Sequence, residues 1–490
     1  MEGRNRDTGW LLTAVLLVQF MVALDVSVVN VALPDMRDDL GFSPGGLQWV
    51  VGAYALAFGG LLMLGGRLAD LVGGRRILPA GLAFFGAASL VGGLVSDPGA
   101  LIAARAAQGV GAAAVSPVAL ALVTLSFPEG PARSRALGLW GVAGALGGAV
   151  GVLAGGLLTD AAGWRAVMLV NVPIVLLALF ATGRARLPGR RAGAAPRLDL
   201  AGALLVTAGM TLLVLAVVRT ESTPWGSPAT LLPLGAALAL LAAFVAVERR
   251  TPLPLLRLGL FGVRPVLGAN LFTLLLCSGQ FASFYFCSLY MQQVLGWDAA
   301  TTGAAFLPFS AGVVTGSVIA TKVIARTGTR DLLALGGLLG TAGLALFAYT
   351  ATPDGTFLYS IVAPSLLASV GIGMSFVPLA TAAVTGVAPD EAGMASGLLS
   401  SSRQLGGSLG LAVLVTLAAS ATGSGTDPAA LAAGHRTAYA VSAALLALGT
   451  LLAFVLLPGR SRGASEDPGE KNQKDSGGDV DPQVSRSTQG

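Results

Sequence analysis

Two side chains of opposite charge, Asp25 and Arg105, fall inside long apolar runs of this chain, and their chemistry needs explaining first. Asp25 is the only charged residue between Trp10 and Leu33. An acid at mid-membrane costs roughly 2.5 to 3.5 kcal/mol on insertion scales, so it marks either a function or a well-satisfied packing contact. Arg105 stands in "LIAARAAQGVGAA" (101–113), with Gln108 three residues on and on the same helical face. The two charges fall at similar depths and could pair; otherwise Arg105 snorkels or caps carbonyls as a structural bolt. Burial disfavours a charged carboxylate and a nearby guanidinium favours it, so a movement that alters either one loads or releases a proton. The competing account has Asp25 held by Ser27 or Asn30 without titrating. Arg403, in "SSSRQLGGSLG" (400–410), is the other base deep in a run. With Asn30, Gln108, Gln280 and Tyr285 it completes the set of transport-pathway candidates. Gln280, Phe281, Phe284 and Tyr285 suit a cavity for lipophilic cargo, or alternatively a core aromatic stripe.

These residues need membrane helices to hold them. The chain has 490 residues, 54% hydrophobic and 11% charged, and a mean hydropathy of +0.77. Soluble domains carry about a quarter charged residues, so this is a polytopic membrane protein. Windows of about twenty apolar residues predict fourteen spans. The first six lie near 10–33, 46–66, 77–96, 100–126, 135–158 and 164–185, the next two near 199–218 and 229–247. The last six lie near 265–292, 302–324, 331–350, 356–386, 392–420 and 435–457. Arginine and lysine collect in alternate loops, among them Arg75, Arg76, Arg133, Arg190, Arg249, Arg257 and Lys322, which puts both termini in the cytoplasm. Trp49, Trp164, Trp225 and Trp297 then reach the outer interface and Trp10 the inner one. The net charge of +5 reflects these topology clusters, and nucleic-acid binding is not expected. Cys277 and Cys287 are ten residues apart on one helix, about 15 Å, too far for a disulfide. The single His435 suggests no metal cluster. Arg4 and Arg6 precede a run too long for a secretory signal, so the first segment reads as an uncleaved span.

An internal repeat organises the spans. "RALGLWGVAGALGGAVG" (135–151) and "MASGLLSSSRQLGGSLG" (394–410) share LGGxxG in register, on the fifth and thirteenth spans. "GVGAAAV" (109–115) and "GIGMSFV" (371–377) echo each other on the fourth and twelfth. Two six-span halves with an inserted pair explain this, as in transporters built from parallel six-span halves. The expected division is a first bundle over 1–185, linkers with two extra spans over 186–264, and a second bundle over 265–457. A disordered cytoplasmic tail is expected over 458–490. The inserted spans seven and eight read as peripheral additions.

Further motifs sharpen the reading. "GGRLADLVGGRR" (65–76) reads as the loop between spans two and three, with glycines for a tight turn, Asp70 for a helix end or an arginine, and Arg75 and Arg76 at the cytoplasmic surface. Topology charges plus a turn would account for it equally well. "VIARTGTR" (323–330) is a degenerate counterpart. Gly147, Gly151 and Gly155 form a small-residue stripe that allows close helix contact. The loop residues Gly66, Leu68, Ala69, Asp70, Gly73 and Arg75 resemble the signature of the major facilitator superfamily, with Leu71 and Gly74 where that signature is basic. The fourth-span stretch resembles the superfamily motif whose arginine is linked to proton transfer. The glycine stripe resembles the antiporter motif, with Val152 in place of its proline. "LDVSVVNVALP" (24–34), "GWRAVMLVNVP" (163–173), "LFGVRP" (260–265), "YMQQVLGW" (290–297) and "SSSRQLGGSLG" are similar to the fourteen-span drug:proton antiporter family.

The resemblance implies an all-α integral membrane protein of two six-helix bundles plus two inserted helices. It implies proton-coupled export of hydrophobic drugs or antibiotics from a bacterial cytoplasmic membrane, with Asp25 and Arg105 in proton coupling. Gly66, Asp70, Gly73, Arg75 and Arg76 would form the conformational switch. Lipophilic small molecules, protons and the bilayer are the expected partners, with no cofactor, metal or catalytic site. One proton entering across 100 mV supplies about 2.3 kcal/mol and a unit of pH about 1.4, enough for a cargo gradient of roughly a few hundredfold. The alternatives are an exporter of one metabolite or amino acid and, more remotely, a receptor or embedded enzyme.

Overall fold

A computed structural model describes residues 2–127, 131–185, 199–220, 223–252, 254–388, 391–423, 425 and 427–459. The expected tail beyond 459 and the linker 186–198 lie outside the described residues. Every regular element among the described residues is helical. Among these residues fourteen stretches are long and apolar enough to cross a membrane, in the predicted order.

The first six spans are α1 (Glu2–Leu40), α2 (Pro44–Val72), α3 (Gly74–Leu94), α4 (Pro98–Ser126), α5 (Pro131–Ala162) and the pair α6 (Trp164–Leu169) and α7 (Asn171–Arg184). The inserted pair is α8 (Leu200–Arg219) and α9 (Pro228–Arg250). The last six begin with α10 (Arg264–Leu289), which runs into a π-helical turn at Tyr290–Val294, then α11 (Ala299–Ala305) with α12 (Leu307–Thr327), and α13 (Thr329–Thr350). They close with a π-helical turn at Phe357–Val362 leading into α14 (Ala363–Val384), then α15 (Ala392–Thr422) and α16 (Pro428–Leu456).

The segment 65–76 departs from its expected loop form. α2 continues to Val72, so Gly66 and Asp70 stand on a helix end, and the reversal falls on one residue, Gly73, at φ 92°. Leu68, Ala69 and Leu71 are strong helix formers, and two more helical turns cost less than an open loop. The counterpart after α12 turns in the same way on Gly328, at φ 82°. Both positions need the left-handed region that glycine enters freely. The side chains at 66 and 70 lie outside the described residues, whereas Arg75 and Arg76 are exposed at the start of α3.

The glycine stripe explains how the first bundle packs. A Cβ on Gly151 would stand 2.8 Å from the Leu24 carbonyl, and one on Gly155 would stand 2.6 Å from that of Val28. A Cβ on Gly147 would collide with the Phe20 carbonyl. Only residues without a side chain let α5 lie on the backbone of α1 along the two turns that flank Asp25. In the second half Gly406 faces the Leu274 carbonyl and Gly410 faces Ser278 on α10. Phe20 to Leu274 and Leu24 to Ser278 are the same step of 254 residues, so the sequence repeat is also a packing repeat.

Among the described residues, four hydrogen bonds join the bundles: Gln292 Nε2 to the Val31 carbonyl at 2.9 Å, Ala300 N to Asp160 Oδ2 at 2.9 Å, Ser408 Oγ to the Gly52 carbonyl at 3.1 Å and Ser401 Oγ to the Gly59 carbonyl at 2.9 Å. The first three lie toward the end of the molecule opposite the described termini, and the fourth lies midway along α2. The inserted pair divides in character. α8 packs against α2 and α15 together, with Leu56, Val214, Val217 and Ala412 in one buried cluster, so it touches both bundles and is not peripheral. Its small Thr207 and Ala216 allow that approach, as does Gly60 on α2. α9 is peripheral, with only Thr230, Ala237 and Glu248 buried.

Candidate functional site

Asp25 is fully buried, and α1, α2, α3, α4 and α7 all contribute to its surroundings. Arg105 Nη1 donates to Asp25 Oδ2 at 2.7 Å, so the acid and the base meet. Gln108 Nε2 reaches Asp25 Oδ1 at 3.2 Å, and Asn171 Nδ2 reaches the same oxygen at 2.8 Å. The guanidinium is itself held: Nε donates to the Val50 carbonyl at 2.9 Å, Nη1 to Gln108 Oε1 at 3.0 Å, and the Tyr54 ring lies 4.5 Å below Cζ. Ser89 Oγ accepts from Gln108 and Asn171 and donates to the Met168 carbonyl at 2.6 Å. A buried charge is tolerable only when it is paired and further hydrogen-bonded, and this network supplies both conditions.

Local sequence explains the placement. Residues 105 and 108 are three apart on α4, so both point the same way. Asn171 opens α7 just where the sixth span breaks at Val170, and it heads the helix turned toward α1. Sequence pattern alone does not single out Asn171 or Ser89, although each is an isolated polar residue in an apolar run. Tyr54 gave no such signal, since an aromatic residue fits any membrane helix. Ser27 and Asn30 do not hold the acid: their side chains bond back to the Ala23 and Val26 carbonyls of their own helix. Gln108 and Asn30 are both buried inside the first bundle.

The second bundle has no matching charges. The step of 254 residues carries Asp25 onto Gly279. The fourth-span echo, a step of 262, carries Arg105 onto Leu367. In place of a charged network, the second bundle has a narrow cleft with only about 20 Å³ of free space in this conformation, lined among others by Gln280, Ser283, Phe284, Phe306, Phe309 and Ser365. Phe284 stacks on Phe306 with centroids 5.3 Å apart and meets Phe309 edge-on at 4.6 Å. Of the candidates on α10, Gln280 and Phe284 line this cleft. Phe281 packs on Gly407, and Tyr285 is buried with its ring against Phe286, because those two positions point to other faces of the helix. Arg403 is exposed, its Cζ 5.2 Å from the Phe376 ring, so the structure does not join it to the Asp25 network.

The remaining sequence-derived residues also have places. Trp164 is not an interfacial belt residue: its ring is buried, Nε1 donates to Asp39 Oδ2 at 2.9 Å, and the Arg165 guanidinium lies over it. Cys277 and Cys287 are free and buried. His435 is packed against Phe286 and Tyr290, and among the described residues no cluster of metal-ligating side chains forms.

A model of the Major Facilitator Superfamily matches residues 15–411. The cephamycin export protein CmcT of Amycolatopsis lactamdurans is 44% identical, over 95% of this chain and 96% of its own. The puromycin resistance protein pur8 of Streptomyces alboniger is 43% identical, over 95% and 94%. The lincomycin resistance protein of Streptomyces lincolnensis is 35% identical over the same shares. Among solved structures, a bacterial homolog of the human lysosomal transporter Spinster, in an inward-facing and unoccupied conformation, superposes with a TM-score of 0.65 at 16% identity, covering 91% of this chain and 96% of that one. That likeness speaks for the fold, and the sequence matches run nearly end to end. The chain therefore belongs to the Major Facilitator Superfamily.

Proposed function

We propose that this protein exports lipophilic small molecules of the antibiotic class across the bacterial cytoplasmic membrane in exchange for protons. The observation that carries the reading is an asymmetry: one bundle holds a buried acid–base network, and the other holds an uncharged aromatic cleft. Relatives named for cephamycin export and for puromycin and lincomycin resistance support the same class of cargo. The arginine distribution supports cytoplasmic termini.

Asp25 is the proton carrier in this scheme. In this conformation the seam between the bundles is joined at the end away from the termini, and Asp25 is tied to Arg105. A proton arriving at Asp25 turns an ion pair into a weaker bond between a cation and a neutral carboxyl, and leaves the guanidinium to Val50, Gln108 and the Tyr54 face. α1 and α4 lose the link that fixes their spacing, and the first bundle repacks against the second. The cleft holds only about 20 Å³ in this conformation, so it must widen to take cargo, and Phe284, Phe306 and Phe309 then meet a planar apolar body while Gln280 and Ser283 supply hydrogen bonds. The glycines of 65–76, with Arg75 and Arg76, act as the pivot at the cytoplasmic edge.

A resistance profile of a pump-deficient bacterial host tests the reading. Expression should raise tolerance to several lipophilic antibiotics, and Phe284→Ala should change the order of protection without removing the protein from the membrane. Protection against none, with proton-driven movement of a single polar metabolite in vesicles, would overturn the assignment of cargo.

A further inference from the structure

The feet of the inserted hairpin carry two acids for which the transport scheme has no use. Asp199 caps α8, its Oδ1 accepting from Gly202 N at 2.7 Å. Glu248, near the end of α9, accepts from Leu256 N at 3.0 Å through Oε2 and so fastens the linker that leads to the second bundle. The other two oxygens, Asp199 Oδ2 and Glu248 Oε1, are buried, with no hydrogen-bond donor among the described residues. The residues are only 9% and 4% exposed. Their free oxygens converge: each lies within 2.7 Å of where a Cβ on Gly202 would stand. Glycine at 202 leaves the gap that lets them meet.

Among the described residues, charged neighbours do not neutralise the pair. Arg249 lies beside Glu248 on α9, Arg257 comes from the linker, and Glu391 comes from the connection before α15. Arg257 is taken by an ion pair with Glu391, and among the described residues no arginine or lysine pairs with Asp199 or Glu248. Two carboxylates meeting out of water repel, whereas a carboxyl and a carboxylate bond through one hydrogen.

We propose that Asp199 and Glu248 form a second proton-binding site, holding one shared proton between their free oxygens and thereby fastening α8, α9 and the 255–257 linker together. Loss of that proton sets two negative charges against each other, and the feet of the hairpin part. The linker then pulls on Arg257 and its partner Glu391 at the start of α15. α8 touches α2 and α15 at once, so the site reports the pH at the termini's end of the molecule to the seam on which the bundles rock. It acts separately from Asp25.

The test uses the full chain in lipid nanodiscs. An infrared difference spectrum, wild type minus Glu248→Gln at neutral pH, should show the C=O stretch of a protonated carboxylic acid, and the same band should appear in an Asp25→Asn background. Asp199→Asn should also lose it, because the remaining Glu248 ionises beside a carboxamide. It gives an independent reading should Glu248→Gln fail to insert. The band should fade as pH rises, and the melting temperature of wild type should fall with it, a component that Glu248→Gln lacks. No difference band, or a band indifferent to pH, overturns the proposal. So does a pair without the band whose melting temperature rises on adding magnesium chloride, since that pair would be a cation site.

Discussion

Replacing Asp25 by asparagine tests the coupling scheme most directly. All three partners of the carboxylate present hydrogens: Arg105 Nη1 at 2.7 Å, Asn171 Nδ2 at 2.8 Å and Gln108 Nε2 at 3.2 Å. A carboxamide of the same shape keeps one acceptor and puts an NH₂ where the other stood. Whichever way it turns, a donor then meets a donor, unless a neighbouring amide flips and gives up its own bond. Arg105, 1% exposed, is also left without a counter-charge. Removing one partner of a buried pair costs about 3 to 5 kcal/mol. That is a large share of the roughly 5 to 15 kcal/mol that hold a folded domain. The double variant Asp25→Asn with Arg105→Gln deletes the stranded charge and should recover most of the melting temperature. Neither variant should concentrate cargo. In vesicles with an imposed pH gradient, wild type should build a gradient approaching the few hundredfold allowed by one proton, whereas Asp25→Asn should only equilibrate a fluorescent cargo. Uphill export by Asp25→Asn with undiminished proton flux would refute Asp25 as the carrier. A single variant that melts like wild type would refute the energetic argument.

Three further outcomes follow from the same geometry. Asn171→Ala leaves Asp25 and Ser89 each short of a donor, and should lower the melting temperature by the equivalent of about 1 to 3 kcal/mol and slow export, as read by thermal unfolding and vesicle efflux. Gly151→Val forces a side chain against the Leu24 backbone and should cost about 1 to 3 kcal/mol with loss of export. Gly410→Val should do the same on α10, whereas Gly141→Ala, with nothing within 4 Å, should melt unchanged. Asp298 caps α11 through Thr301, whose bonds hold its carboxyl below the usual carboxylate range. A lowered value in the folded state means stability that is present above the unfolded carboxylate value and lost as pH falls through the folded one. Asp298→Ala should therefore lower the melting temperature at pH 7 and reduce its drop on acidification, as followed by scanning calorimetry.

Sequence alone determined the membrane class, the fourteen spans and the twofold repeat, because the bilayer demands about twenty apolar residues per crossing and permits little else. It also singled out Asp25, Arg105 and Gln108, since charge is conspicuous in an apolar run. The glycine spacing at 147, 151 and 155 announced a close helix contact. It could not name α1 as the partner, because any backbone fits a flat face. Tertiary structure alone decided that Asp25 and Arg105 meet, that Asn171, Ser89 and Tyr54 complete their shell, and that Ser27 and Asn30 turn back on their own helix. The contacts of Asp25 with Arg105, Gln108 and Asn171 join residues 80 to 146 positions apart, and relative rotation of whole helices sets them. Rotation also placed Gln280 and Phe284 on the cleft and turned Tyr285 away, a choice that one helix's periodicity cannot make without its neighbours. The Asp199 and Glu248 pair was invisible for the same reason: acids at the ends of two spans read as solvated charges until the hairpin folds and presses them together.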